Sequence, residues 1–542
     1  MKLRETNLAK LADETFDVCI IGGGINGAVS AASLAGRGVR VALVDRGDFA
    51  GETSQESSNL AWGGIKYMET FELGLVRKLC LARNRLIRAY PSTVRAIGFF
   101  VTHPKAFRRS RFLVWLGTWL YWLLGSCFMD TPRLLSTRRI QSEEPIIDTT
   151  GADGGIEYFD AHLHDNDARF VWNFVRSALN WGAIAANYVE VESSSREGDV
   201  LRLEAKDAIS GRPLVIRARV VVNACGPFAD ELNRRLGVET QHEHVLSKGV
   251  HLLVRRLSPS WRVLTFFADD GRLFFLIPMG PCTCIGTTDT PTKTVPRHAT
   301  PEDRRFILDN LNQRLRLEAP LTEVDVVAER CGARPLAVLR PRAEAPGGKD
   351  VAQKDWMQLS RKHVIEAQGR VLTIFGGKLT DCLNVGDEIF EHVARLGVSA
   401  PFPDRVWYGE PPESVRQEFF HQARLMKLDK MTSPSSSEAL STRLWRRYGA
   451  EAIVLLEGIR RDPRNAEVLI ENAEYLRCEI EEAARREMVV KLDDFLRRRS
   501  KIALVVSRER LRHAEGLEEA CAILFGEDAT EKVREYFASE PT

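Results

Sequence analysis

No short, regular cysteine spacing occurs anywhere in these 542 residues. The ten cysteines are scattered and Cys282-x-Cys284 has no second pair, which excludes a disulfide framework or a zinc ribbon and suits a reduced compartment on the cytoplasmic side. Charge of one sign is missing too: 76 Lys plus Arg stand against 74 Asp plus Glu, so the overall balance gives no reason to expect nucleic acid. Met1 to Thr15 carry both signs of charge and no apolar run, unlike a secretory signal. His162 and His164 lie among carboxylates but not at the i, i+4 spacing of a helical ligand pair, and no metal is assigned. At roughly 150 residues per domain, the length implies two to four domains.

What is present begins at Asp17. An apolar strand, Asp17 to Ile21, runs into Gly22-Gly23-Gly24-Ile25-Asn26-Gly27 and an alanine-rich helix, and a second strand, Val39 to Val44, ends on Asp45. This is the order and spacing of a dinucleotide-binding βαβ unit. Gly22 permits the turn, Gly24 lets the backbone approach a pyrophosphate at the helix N-terminus, and Gly27 allows close helix–strand packing. Asp45 is placed to accept from a ribose hydroxyl. Residues 48–67 then supply a hydroxyl-rich turn with Thr53, Ser54 and Ser58 and a glycine pair ending at Gly64, which suits an extended FAD better than NAD; an ordinary capped Ser/Thr loop is the alternative. A third strand, Arg217 to Val222, runs into Asn223-Ala224-Cys225-Gly226-Pro227, a second contact for the same nucleotide.

One segment breaks the soluble pattern. Phe112 to Met129 are eighteen uncharged residues with Trp115, Trp119 and Trp122, preceded by Arg108, Arg109 and Arg111. The length meets the lower bound of a span, but one crossing would separate glycine motifs that must meet at one cofactor. The remaining readings are a segment lying in the membrane interface, with the arginines drawn to anionic lipid, and a core helix. A helix is expected from Asp160 to Trp181, strands near 184–192 and 200–206, mostly antiparallel strands over 248–289, and a helix at about 301–316. Pro401-Phe-Pro403 and Pro411-Pro412 read as a linker. Beyond about 405 the pattern is helical, with Leu469, Ala473, Leu476, Ile480 and Ala484 at spacings of three and four. Its many Arg and Glu read as a solvated face, with a partner surface as the sharper alternative.

In order along the chain stand Gly22 to Gly27, Gly36-Arg-Gly38, Thr53-Ser-x-x-Ser-Ser58, Gly63-Gly-Ile-Lys-Tyr67, Asn223 to Pro227, Lys248-Gly-Val-His251, Gly286-Thr-Thr-Asp289, Gly332-Ala-Arg-Pro-Leu336, Gly376-Gly-Lys-Leu-Thr380 and Leu492 to Lys501. This ordered set resembles the FAD-dependent glycerol-3-phosphate dehydrogenases, within the D-amino-acid oxidase-like flavoproteins. The resemblance implies an α/β and α+β architecture: a Rossmann-like FAD-binding domain (about 15–75, 155–245 and 365–395), an antiparallel-sheet substrate domain (about 76–154 and 246–364) and a C-terminal all-α domain (405–542). It adds Val189 and Gly377, Lys378, Leu379 and Thr380 to the cofactor contacts. It implies phosphate recognition by Arg361 and Lys378 with Lys66 and Tyr67, and it sets His251 and Arg334 beside the reacting hydroxyl. Cations suit a dianionic phosphate, and a histidine titrating near neutrality suits proton transfer.

The activity so implied is oxidation of sn-glycerol 3-phosphate to dihydroxyacetone phosphate, with hydride passed to FAD and electrons to a membrane quinone. The expected location is cytoplasmic, against the inner face of the membrane through residues 108–129. Two positions depart from the family pattern: Lys66 stands where arginine is usual, and Trp62 where histidine is usual. They keep two alternatives open. One is an oxidase or dehydrogenase of the superfamily acting on another hydroxy acid, amino acid or phosphorylated alcohol; the other is an inactive flavin-binding interaction protein. The oligomeric state is left open, a homodimer included.

Overall fold

The computed structural model describes residues 3–269, 271–340, 362–433, 436 and 438–539. Two sheets share the N-terminal four hundred or so residues, and each has a sequence reason. The strand Thr15–Ile21 is buried on both faces and pairs in parallel with Val41–Val44 on one side and Pro213–Asn223 on the other. Ile184–Ala186 extends this sheet in parallel past Val41–Val44, and Val371–Phe375 extends it past Pro213–Asn223. Continuous apolar runs such as VALV and VLTIF are what a parallel sheet covered on both faces requires. The helices Ile25–Gly36, Asp167–Asn180 and Cys382–Arg395 cover one face and contribute to its core. An antiparallel pair, Val189–Glu197 and Val200–Asp207, hangs from Pro213–Asn223.

The second sheet is mixed and mostly antiparallel. Its long central pairing joins His242–Arg255 to Val326–Leu339, and Cys282–Gly286, Leu273–Met279 and Arg262–Phe267 follow in turn. Val94–Pro104 then lies parallel to Arg262–Phe267 and antiparallel to Ala152–Leu163. The chain from Glu413 onward is helical, with one core around Phe419, Trp445 and Leu456 and another around Ile480, Phe495 and Leu524.

Three local expectations differ from what is observed. Asp160 to Leu163 complete the strand Ala152–Leu163, and the helix starts only at Asp167, where Asn166 Oδ1 accepts the Ala168 N–H at 3.3 Å as N-cap. The alternation Tyr158, Asp160, His162 on one strand face outweighs the polar run that reads as a helix start. Near 470 only Arg477–Arg486 is helical: Asn472 sits at φ 61° and Leu476 bridges Val468, which breaks the three-and-four pattern before it can propagate. The arginines of this region are also not a solvated face throughout, since Arg443, Arg446, Arg447 and Arg497 to Arg499 are buried. All ten cysteines are thiols, eight of them buried.

Candidate functional site

The glycine turn is shaped by close approach. Gly22 holds φ at 104°, and a Cβ there would lie 2.5 Å from Ala224 O; one on Gly27 would lie 1.8 Å from Gly22 O. Gly24 is the N-cap of Ile25–Gly36 with no side chain of its own to cap it, so the end of the helix is left to backbone N–H groups. Ser54 Oγ reaches over to accept the Ile25 N–H at 3.0 Å. Asp45 ends its strand with one carboxylate oxygen on Gly23 N (2.6 Å) and the other on Gly47 N (2.8 Å), and burial pushes its carboxyl up.

These residues wall a cavity of about 600 Å³. Gly22, Gly24, Asn26, Asp45, Thr53, Ser54, Val189, Ala224, Gly226 and Gly377 all line it. Gly27 stands behind the wall, and Ser58, Gly64, Lys378, Leu379 and Thr380 are not on it. Several wall residues have no counterpart in the sequence motifs: Tyr188, Glu231 and Arg235, and from the C-terminal domain Lys491, Arg508 and Lys532, whereas Arg498 belongs to the Leu492–Lys501 run. Those from the C-terminal domain meet a wall formed largely by residues 21–55 and 188–235, hundreds of positions earlier, so no local motif marks them.

Two observations suit this cavity to FAD. A Cβ on Gly22 has no room, while Gly226 (φ 54°) and Gly377 (φ 106°) use backbone conformations that favour glycine, so the walls are bare backbone where a flat, extended cofactor needs it. Asn26 donates to Gly376 O at 3.1 Å while its buried Oδ1 has no hydrogen-bond partner among the described residues, an acceptor left over at the pyrophosphate turn.

The strand Val326–Leu339 carries Arg334 opposite Ser247, and His242–Arg255 carries His251 opposite Arg330, so all four share one sheet face. Gly249 makes room for the Arg334 guanidinium, which would lie 2.2 Å from any Cβ there. Arg334 donates to Thr287 Oγ1 (2.8 Å) and Thr288 O (3.2 Å) and pairs with Asp289 (3.3 Å), which explains the Gly286-Thr-Thr-Asp289 run. Gly286 similarly abuts the His251 ring. His251 is buried with Nδ1 unpartnered among the described residues, and burial, with Arg334 and Arg330 adding to it, holds its pKa well below the usual value. Arg330 itself is tied to Asp167 at 2.9 Å and to Asn59 at 3.0 Å.

On the other flank Thr380 Oγ1 donates to Trp62 O at 3.2 Å, joining the turn after Val371–Phe375 to the Trp62–Tyr67 segment. Lys378 Nζ lies 4.2 Å above the Tyr67 ring centroid, and Lys66 is half-buried on the same turn. The Trp62 indole donates to Tyr158 Oη at 3.3 Å and stands edge-on to Phe275, whose register partner is Gly286 beside His251. Lys378, Tyr67, Trp62 and His251 thus belong to one connected set, with Arg334 next to the cavity-lining Pro335. Arg361 lies outside the described residues. A group absent from the sequence reading is His363, held between Asp381 (2.9 Å) and Glu388 (2.8 Å). Burial opposes its charge, but the two carboxylates prevail and raise its pKa to about 9.

The profile of the family described as "FAD dependent oxidoreductase" matches residues 17–357, and that of the "C-terminal domain of alpha-glycerophosphate oxidase" matches 414–532. Glycerol-3-phosphate dehydrogenase 2 of Mycobacterium tuberculosis is 29% identical over 548 aligned residues, covering 97% of this chain and 88% of that protein. The human mitochondrial glycerol-3-phosphate dehydrogenase is 30% identical over 406 residues; that match takes in 71% of this chain and only 54% of the relative, so the chain spans about half the length of its mitochondrial relatives. The solved Bacillus halodurans glycerol-3-phosphate dehydrogenase complexed with FAD has the same fold, with a TM-score of 0.72 over 99% of this chain and 97% of that one at 24% identity. On these matches the chain belongs to the FAD dependent oxidoreductase family, and FAD is its cofactor.

Proposed function

We propose that this flavoprotein oxidises sn-glycerol 3-phosphate to dihydroxyacetone phosphate and delivers the electrons to a quinone at the inner face of the membrane. The observation that carries this reading is the buried His251 Nδ1, unpartnered among the described residues, on the sheet face that also carries Arg334, with Lys378 linked to it through Tyr67, Trp62 and Phe275. The names of the relatives support the substrate. Lys378, with Lys66, Tyr67 and Arg361, holds the phosphate, and that grip turns binding energy into orientation of the central carbon. His251 stays neutral at physiological pH and takes the hydroxyl proton, while Arg334 stabilises negative charge developing on that oxygen. FAD, when bound, supplies the hydride acceptor.

Support for a membrane acceptor comes from the helix Arg111–Leu124, N-capped by Ser110. Phe112, Leu113, Leu116, Leu120 and Leu123 form an exposed apolar row on it, with Lys105 and Arg108 exposed just before its start. Its inner face reaches the site. Tyr121 Oη donates to Asp160 at 2.6 Å, and Asp160 accepts the Gly63 N–H at 3.1 Å, next to Trp62. Among the described residues no helix is long and apolar enough to cross a membrane, so the contact proposed is peripheral.

Anaerobic mixing with glycerol 3-phosphate should bleach the flavin absorbance, and absence of bleaching would refute the substrate. In Lys378→Ala the same bleaching should need about 10- to 100-fold more substrate, as expected for one lost charge-assisted hydrogen bond. Bleaching by a 2-hydroxy acid or amino acid instead would favour another member chemistry of the superfamily.

A further inference from the structure

The turn Asp494–Arg499 ends in three consecutive arginines, and all three leave the helical domain to grip one loop of the cofactor site. Arg498 donates from Nε to Asp48 Oδ2 at 2.6 Å and from Nη1 to Gln55 Oε1 at 3.1 Å. Arg499 forks onto both oxygens of Asp48 at 2.8 Å each. Arg497 Nη2 lies 3.0 Å from each oxygen of Glu56, 441 residues earlier in the chain. Asp48 and the three arginines are buried and the Glu56 side chain is only 7% exposed, so each charge is largely desolvated and depends on its partner. Forked guanidinium–carboxylate geometry fixes direction as well as distance.

The loop held in this way, 48–56, presses on the dinucleotide turn from outside. The Phe49 ring fills the space a Gly23 side chain would need, and Ala50 donates its N–H to Gly23 O at 3.0 Å. Between the gripped ends, Ser54 caps Ile25 N and Thr53 Oγ1 donates to Ala333 O at 2.7 Å, beside Arg334. Glu56 Oε2 also accepts the Cys331 N–H at 2.9 Å. Arg497 therefore ties the loop, the Arg334 strand and the helical domain at one carboxylate.

We propose that Arg497, Arg498 and Arg499 are positioning residues for FAD: the C-terminal helical domain holds the 48–56 loop closed against the cofactor, and FAD affinity is set in part from there. The inference rests on the FAD assignment and not on the substrate, so its test reads cofactor binding without substrate. FAD is titrated into the full-length apoprotein of the wild type, Arg497→Lys, Arg498→Lys and Glu56→Gln, with far-UV circular dichroism as the check on folding. The dissociation constant should rise tenfold or more in each folded variant, and Arg497→Lys combined with Glu56→Gln should be no worse than the weaker single variant. An exposed control, Arg485→Ala, should bind FAD as the wild type does. Values within twofold of the wild type in folded variants would overturn the proposal and leave the arginines as a domain staple only. Glu56→Gln keeps the shape of the side chain and its acceptor for Cys331, so it decides the matter alone if the arginine variants fail to fold.

Discussion

At the scale of single residues, the glycines were legible because their reasons are local. A turn at positive φ and a helix packed onto a strand both demand a missing Cβ, and Gly22 and Gly27 answer those demands with atoms that would stand 2.5 and 1.8 Å away. His251 was legible only by resemblance, since its environment is built by strands 35 to 80 positions away, as its register partners Gly286 and Arg330 show. Its depressed pKa gives a two-part expectation. His251→Gln should lower kcat by about 10²- to 10⁴-fold, the usual worth of a general base, with KM much less affected. Because the folded state disfavours its protonation, the unfolded chain binds the extra proton below about pH 6.5. Stability from keeping this ring neutral is therefore complete above that pH and lost as pH falls. Denaturant melts at pH 7 and pH 5 should show a smaller acid-induced loss in His251→Gln than in the wild type.

At the scale of elements, composition fixed the existence of most strands and helices, and tertiary contacts moved their ends. Asp160 looks like a helix start until its carboxylate is seen accepting from Tyr121 and Gly63 and pairing with Arg83 at 3.2 Å, which needs the extended backbone of a strand. The tryptophan-rich run reads as either an interfacial segment or a core helix, and the structure gives Arg111–Leu124 one exposed apolar face and one buried face. Tyr121 and Thr118 are buried, while Phe112 and Leu123 are 57% and 55% exposed. Trp115, Trp119 and Trp122 form a ladder between the two faces, with ring centroids 6.0 and 5.4 Å apart. If the exposed row meets lipid, Leu116→Glu combined with Leu120→Glu should reduce co-sedimentation with anionic vesicles at least ~10-fold. Anaerobic flavin reduction by substrate should be unchanged in that variant. Equal vesicle binding would remove this helix from the membrane contact.

At the scale of the whole molecule, the sequence reads as a helical domain beyond a proline-rich linker, with its charges facing water or a partner. Its charges instead pair across to the FAD-binding region: Arg447 with Asp165 at 3.2 Å and Glu487 with Arg169 at 2.7 Å, while Asn166 donates to Arg497 O and Ser500 O at 2.7 Å each. None of these pairs is closer than 270 residues in sequence, and a run of Arg among Glu carries no sign of which carboxylate it will meet. Coupling on this scale predicts one cooperative thermal transition for the holoprotein. A ligand bound only to the folded state at 100 times its dissociation constant adds about 2.7 kcal/mol, so added FAD should move the entire transition upward. Two calorimetric peaks, with only the first displaced by FAD, would contradict that coupling.

The order in which the parallel sheet is put together bears on how the protein is made. Its middle strand is Thr15–Ile21, yet the neighbour that continues the sheet beyond Pro213–Asn223 is Val371–Phe375. A ribosome must therefore emit more than two thirds of the polypeptide before that layer is whole. The nascent N-terminal fingerprint, however early it emerges, has to wait for its flavin.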